Sequence, residues 1–272
     1  MHLETDIIIG VAPNGAKLMP IDHPNLPLTA NHLAETAIEC LAQGARMFHL
    51  HVRNEHGQHS IDKLHYQPAI NLLEETVGDQ MMIQVTSESA GLYSNDQQMR
   101  LMLDLQPKFV SIAIREYIRS PTDGDLFSSF INKLYSSSTV IQYILYDNLD
   151  YQLYCTLLEL KLIPSDRHST LVVLGRYFGG DPELDILQDY EPTISGLGTS
   201  MLCTFGPNAP AILLKATELG QNIRLGFENG CYLSDGTIAE SNAQLISDYV
   251  NHLDGSRKIA GIDECRKQMG DV

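Results

Sequence analysis

Basic residues are scarce in this chain: 18 Lys plus Arg stand against 34 Asp plus Glu, a formal charge of -16 over 272 residues. Such a surface repels phosphate backbones and anionic lipid, and no local run of Lys or Arg offsets it, so nucleic acid and membrane are excluded as expected partners. Cysteine is also sparse. Cys40, Cys155, Cys203, Cys231 and Cys265 are odd in number, widely spaced and include no C-x-x-C pair. That pattern argues against a disulfide framework or a thiolate zinc site and suits a reducing cytoplasm. No segment approaches the roughly 18 apolar residues of a membrane span. The opening MHLETDIIIG is acidic where a signal peptide is basic. No Pro/Gly/Ser-rich linker divides the chain, so residues 1–272 are read as one domain, with Gly179-Gly180-Asp181-Pro182 as an internal loop. The glycines of LGRYFGG and GLGTS match neither G-x-G-x-x-G nor Walker spacing, and no G-x-S-x-G elbow occurs.

Against these absences stands a regular alternation. Eight β-rich runs recur, near residues 9, 49, 83, 111, 143, 173, 203 and 225, each followed by a helical stretch. Eight βα units over about 250 residues are the size and rhythm of a (β/α)8 TIM barrel, whereas a doubly wound sheet has fewer strands. The punctuation is visible after Thr29, where Leu33, Ala37, Ile38 and Leu41 follow helical spacing up to Gly44. Leu153, Leu157, Leu158 and Leu160 are read as another buried helix face, and residues 238–253 as the eighth helix before a short tail.

In FHLHV, His49 and His51 lie two apart on a strand, so both emerge on one face about 7 Å apart. The parity leaves Phe48, Leu50 and Val52 for the helix side and points the histidines inward, at the strand end where barrels keep their chemistry. A hydrogen-bonded histidine pair has the same spacing. In the last run, NIRLGFE, Arg224, Gly226 and Glu228 share one face. A buried carboxylate calls for a metal, an arginine or a proton. A closed barrel puts strand eight one strand away from strand two, so Glu228 can complete a two-His, one-carboxylate site that leaves a position open for substrate. An Arg224–Glu228 ion pair is the alternative. His56, His59 and His65 sit in the polar segment NEHGQHSIDKLHY and are read as solvated.

The segments NLPLTANHLAETAIECLAQGARMFHLHVRNEHGQ, LVVLGRY, NIRLGFENG and IAESNAQLISDYV together resemble the β-keto acid cleavage enzymes, whose named member cleaves 3-keto-5-aminohexanoate. The resemblance implies a TIM barrel with zinc, or another divalent metal, on His49, His51 and Glu228. It also implies acetyl-CoA as co-substrate, with a β-keto acid converted to acetoacetate and a new acyl-CoA. A homo-oligomer, a tetramer, is implied as well. Several positions depart from the family. Asn229 stands where an Asp follows the metal-binding Glu, Ile144 replaces a Glu on the fifth strand, Ala113 an Asn on the fourth, and Lys17 an acidic residue after the first. The metal ligands are kept and the usual base is not. In SIAIREY, Ser111, Ala113 and Arg115 share inward parity if the strand persists; Arg115 is then expected to clamp a carboxylate and Glu116 to supply acid/base function. A surface ion pair is the other reading of those two. Thr86 matches a family hydroxyl beside the reacting acyl group, and Arg224 is expected to orient Asn229 or the substrate. Two further functions fit the same residues: a CoA-independent metal hydrolase or lyase with Glu116 or Glu88 as base, and a metal-binding sensor without catalysis.

Overall fold

The computed structural model describes residues 5–175, 181–188 and 197–271. Eight parallel strands close into a barrel. They are β1 (Ile9–Val11), β2 (Met47–Leu50), β5 (Met82–Thr86), β6 (Phe109–Ala113), β7 (Val140–Leu145), β8 (His168–Leu174), β9 (Ser200–Thr204) and β10 (Asn222–Leu225). Each pairs with its sequence neighbour, and β1 closes the ring between β2 and β10. The expected (β/α)8 architecture is therefore the observed one. Two short strands, β3 (Val52–Arg53) and β4 (His59–Ser60), form a separate antiparallel ribbon directly after β2.

The strands are buried on both faces, and alternation sorts their side chains into two cores. Phe48, Leu50, Val52, Val85, Val110 and Ile112 pack outward beneath the helices. Met47, Met82, Phe109, Val140, Leu171 and Met201 fill the barrel interior. Each fully buried side chain of this size contributes roughly 1.5–3 kcal/mol. Helix α1 (Ala30–Ala42) starts at Thr29, whose side chain accepts from the His32 N–H, and buries Leu33, Ala34, Ala37 and Cys40 at helical spacing. Helices α2 (Lys63–Val77), α3 (Asn95–Leu105), α4 (Ile114–Tyr117), α5 (Gly124–Ser136), α6 (Asn148–Glu159) and α7 (Ala209–Glu218) follow the intervening strands.

Three expectations change. Ile38 and Leu160 are exposed: Ile38 lies beside the buried stripe of Leu33, Ala34, Ala37 and Cys40, and Leu160 is the C-cap, one residue past the end of its helix. The last barrel helix, α8 (Asn242–Asn251), begins at the Ser241 cap and not at Ile238. The supposed tail contains a further helix, α9 (Ile262–Met269), whose Cys265 and Met269 are buried in the same cluster as the interior strand residues. It plugs the end of the barrel where the strands begin: Gln268 donates to Asp6 O at 3.0 Å, and Gly270 lies against Arg167 and His168 at the start of β8. The opposite mouth, where the strands end, is left for a site. Gly179 and Gly180 fall outside the described residues. Among the described residues no helix is long and apolar enough to cross a membrane.

Candidate metal centre

At that mouth β2 presents His49 from its inward face. His51 follows at the point where β2 ends and the ribbon begins, and both rings are buried. Their Nε2 atoms lie 3.1 Å apart. Glu228 Oε2 is 3.7 Å from His49 Nε2 and 3.6 Å from His51 Nε2, and all three ligand atoms fall within 4.8 Å of one another. A tetrahedral zinc bound at its usual lengths spaces its nitrogen and oxygen ligands about 3.3 Å apart. The triad fits that cation. Its protonation fits too. Burial, then the Arg224 charge, holds His49 well below the ordinary imidazole range. Burial, then His49, His59, Arg53 and Arg224, does the same for His51. Neutral imidazoles are the form a metal requires.

The partners behind the triad fix its geometry. His49 Nδ1 lies 2.8 Å from Gln84 Oε1, and Gln84 in turn donates to Gln142 at 3.0 Å across the barrel. Because the amide oxygen only accepts, His49 carries its proton on Nδ1 and offers Nε2 to the site. Gln84 was readable as a signal: it is a large polar residue at an inward position in the middle of MIQVT. Arg224, also from the barrel interior, donates to Glu228 Oε1 at 3.2 Å and leaves Oε2 facing the histidines. The ion pair and the metal-site geometry therefore coexist.

Strand alternation does not carry Glu228 into place, as the NIRLGFE pattern suggested. β10 stops at Leu225, and Gly226 turns the chain with φ +138°. Glu228 N–H then bonds to Ala12 O at 3.1 Å, while Asn229 N–H bonds back to Gly226 O at 2.9 Å. That turn, and not the pleat, aims the carboxylate.

A cavity of about 370 Å³ opens beside the triad. One side is polar, with His49, Thr86, Glu88, Arg224 and Glu228; the other is built from Ala113, Ile144, Val173 and Phe205. Thr86 ends β5 and its hydroxyl accepts from the Glu88 N–H at 3.1 Å. Glu88 Oε2 lies 3.7 Å from His51 Nε2, and among the described residues no hydrogen bond reaches its carboxylate. Burial, reinforced by Glu228 and Glu116, pushes the Glu88 carboxyl up to about 8. Glu116 also lines the cavity, but three donors occupy it: the Ser89 N–H at 3.1 Å, Ser89 Oγ at 2.9 Å and Gln98 Nε2 at 2.6 Å.

Arg115 corrects the parity argument. β6 ends at Ala113, and α4 winds from Ile114 so that Tyr117 stacks on Phe130 with ring centroids 5.6 Å apart. Arg115 reaches the cavity from this helical turn. Its guanidinium is braced by Asp150 at 2.9 Å and by Asp147, and it lies 5.0 Å from the Tyr146 ring centroid. Lys17 reaches the cavity as well. Asn229 does not border this cavity; it lines a smaller one between β9–β10 and helices α7 and α8. His59, read as solvated, is buried, and burial lowers it to about 4 against the opposing bond to the Glu88 carbonyl. His56 is exposed, and His65 is partly exposed while bonding Ser60 Oγ at 2.7 Å.

Comparison with known proteins now bears on this site. The family model for the beta-keto acid cleavage enzyme matches residues 6–270. The chain belongs to that family. A β-keto acid cleavage enzyme is thus the frame in which the triad sits. Among relatives, it is 23% identical over 97% of its length to the 3-keto-5-aminohexanoate cleavage enzyme of Acetoanaerobium sticklandii, covering 98% of that protein. It is 24% identical to the enzyme of the same name from Fusobacterium nucleatum, over 96% of each chain. Among solved structures, apo ObcA superposes with a TM-score of 0.71 at 15% identity, over 91% of this chain and 66% of ObcA. ObcA has also been solved in a binary complex with oxaloacetate and in a ternary complex with a C4-CoA adduct and oxalate.

Proposed function

We propose that this β-keto acid cleavage enzyme holds a divalent cation, zinc by preference, on His49, His51 and Glu228. In this reading it exchanges acyl groups between a β-keto acid and acetyl-CoA, releasing acetoacetate and a new acyl-CoA. The carrying observation is the neutral His-His-carboxylate triad opening on a cavity that also contains the Glu88 carboxylate, which no hydrogen bond reaches among the described residues. When bound, the metal supplies Lewis-acid polarisation of the acid's keto oxygen.

The chain's own residues do the remaining work. Gln84 and Arg224 hold His49 and Glu228 in their ligating orientations. Glu88 is the acid/base group, taking and returning a proton at its carboxylate. It succeeds Asn229, whose amide is no base, and Glu116, whose oxygens are already occupied. Thr86 Oγ1 accepts from the Glu88 N–H and so positions that base. Arg115, braced by two aspartates, and Lys17 place positive charge at the cavity for the substrate carboxylate. The apolar wall of Ala113, Ile144, Val173 and Phe205 receives the acyl chain and excludes water.

Two observations favour this reading over a metal-binding sensor: a carboxylate stands within 4 Å of a ligand histidine, and the cavity has room for a small acid. The keto acid and CoA adduct seen in ObcA, on the same barrel, support the substrate pair. The test is incubation of zinc-loaded protein with acetyl-CoA and a panel of β-keto acids. Equimolar acetoacetate and acyl-CoA are expected for at least one acid. Zinc-loaded protein that yields neither across the panel rejects acyl exchange.

A further inference from the structure

His59 packs against His51 and is not among the residues lining the cavity. The ribbon β3–β4 leaves directly from His51, turns at Gly57 with φ +75°, and sets His59 opposite Arg53. Asn54 Oδ1 fixes the turn by accepting from the N–H groups of His56 and Gln58, each at 3.0 Å. The fold-back brings the His59 ring to 5.4 Å from that of His51, centroid to centroid. The His49 and His51 rings, whose nitrogens approach to 3.1 Å, have centroids 4.9 Å apart. The His51–His59 separation is only half an ångström larger.

The hydrogen bonds decide where the protons sit. His59 Nε2 lies 2.8 Å from the Glu88 carbonyl oxygen, which can only accept, so Nε2 carries the hydrogen and Nδ1 is a bare acceptor. That Nδ1 is buried and has no hydrogen-bond partner among the described residues. His51 points Nε2 at Glu228 and His49. Once that lone pair is given to a cation, the ring's proton resides on Nδ1. This atom too is buried without a partner among the described residues. A donor lacking an acceptor and an acceptor lacking a donor therefore occupy adjacent buried rings, where unmet polar groups are rare. Ligand histidines almost always donate their second N–H to such a partner, as His49 does to Gln84.

We propose that His59 is a positioning residue of the metal centre: its Nδ1 and that of His51 make no hydrogen bond in this structure, and ligation of a cation by His51 brings them together, with His59 accepting the Nδ1–H of His51 and passing the order of that ring to the Glu88 backbone. The proposal rests on the metal-binding reading above. Tyr93, which donates to the His59 carbonyl at 3.0 Å, anchors the relay. Its consequence is coupling: the ring that ligates the metal and the loop that carries the cavity carboxylate Glu88 are held by one imidazole.

The test compares full-length His59→Phe and His59→Gln with wild type by zinc competition against a chromophoric chelator. Phenylalanine fills the space without an acceptor. Glutamine restores both an acceptor for His51 and a donor for the Glu88 carbonyl. Zinc affinity is expected to fall about 10- to 100-fold in His59→Phe and to return to within about threefold of wild type in His59→Gln. Equal affinity in all three proteins overturns the proposal, as does an equal loss in both variants, which marks a purely packing role. Should His59→Phe fail to fold, 15N spectra of the zinc-loaded wild type decide: protonated Nδ1 on His51 with unprotonated Nδ1 on His59 supports the relay, and the reverse refutes it. Wild-type protein that takes up no zinc removes the metal centre itself, an outcome separable from an unaffected His59→Phe.

Discussion

Gly226→Ala tests the claim that one turn aims the Glu228 carboxylate at the histidines. Gly226 sits at φ +138°, and a Cβ there would lie 2.3 Å from Ala12 O, 2.8 Å from Ala12 C and 2.9 Å from Ala12 N. Carbon and carbonyl oxygen meet comfortably near 3.3 Å, so one backbone must retreat by roughly 1 Å. Neither is free to do so without loss. Ala12 N–H bonds to Leu225 O at 2.8 Å, and Ala12 O accepts from Glu228 N–H at 3.1 Å. Loss of both bonds costs about 1 kcal/mol each, and a side chain at this φ adds about 1–3 kcal/mol. The total is on the order of 3–5 kcal/mol, or a melting temperature lower by about 10 °C for a chain of this length. The same displacement carries Glu228 away from both imidazoles, so zinc affinity is expected to fall by about 100-fold. Thermal unfolding of metal-free protein reads the first effect and chelator competition the second. Gly255→Ala is the control: its φ is +77° but nothing lies within 4 Å of an added Cβ, so it should cost about 1 kcal/mol and leave zinc binding unchanged. A Gly226→Ala protein that melts within about 2 °C of wild type, or binds zinc as tightly, refutes the reasoning.

Three more outcomes are expected. His49→Ala should abolish stoichiometric zinc, measured by atomic absorption after gel filtration; a full complement of metal removes the triad as the binding site. Gln84→Leu strips the His49 Nδ1 partner and leaves Gln142 without its donor, so chelator competition should show zinc affinity lower by about tenfold or more. Glu88→Gln should keep its zinc and lose at least about 100-fold in acyl exchange. The same variant has a stability signature in metal-free protein. The Glu88 carboxyl titrates near 4.5 unfolded and about 8 folded, so the folded state holds the proton more tightly. Its contribution is fully present below pH 4.5 and is lost as pH rises through 8. Urea midpoints at pH 5 and pH 9 should therefore fall further for wild type than for Glu88→Gln, by up to a few kcal/mol in stability; parallel pH profiles contradict the buried setting assigned to Glu88.

The histidine pair was legible because a strand alternates with period two, so FHLHV states its own facing once its neighbours Phe48, Leu50 and Val52 are apolar. The eight-fold rhythm made the ring closure legible as well, and with it the nearness of Glu228 to His49. Arg115 was not legible. The alternation of SIAIREY continues in the sequence after the strand has ended, because burial of Ile114 and stacking of Tyr117 favour a helical turn there. His59 was misjudged for a related reason: polar segments such as NEHGQHS read as solvated, and nothing local records that a ribbon folds back and buries one of their side chains.

The sequence by itself determined the strand count, the inward parity of His49 and the residue types that suit a cation, since these depend on periods that each element repeats internally. The tertiary structure decided that a glycine turn, and not the pleat, aims Glu228, that among the described residues no hydrogen bond reaches the Glu88 carboxylate in the cavity, and that His59 packs beside His51. Those placements depend on where chain segments stop and which distant backbone they meet, and close packing between elements, not periodicity within one, sets both.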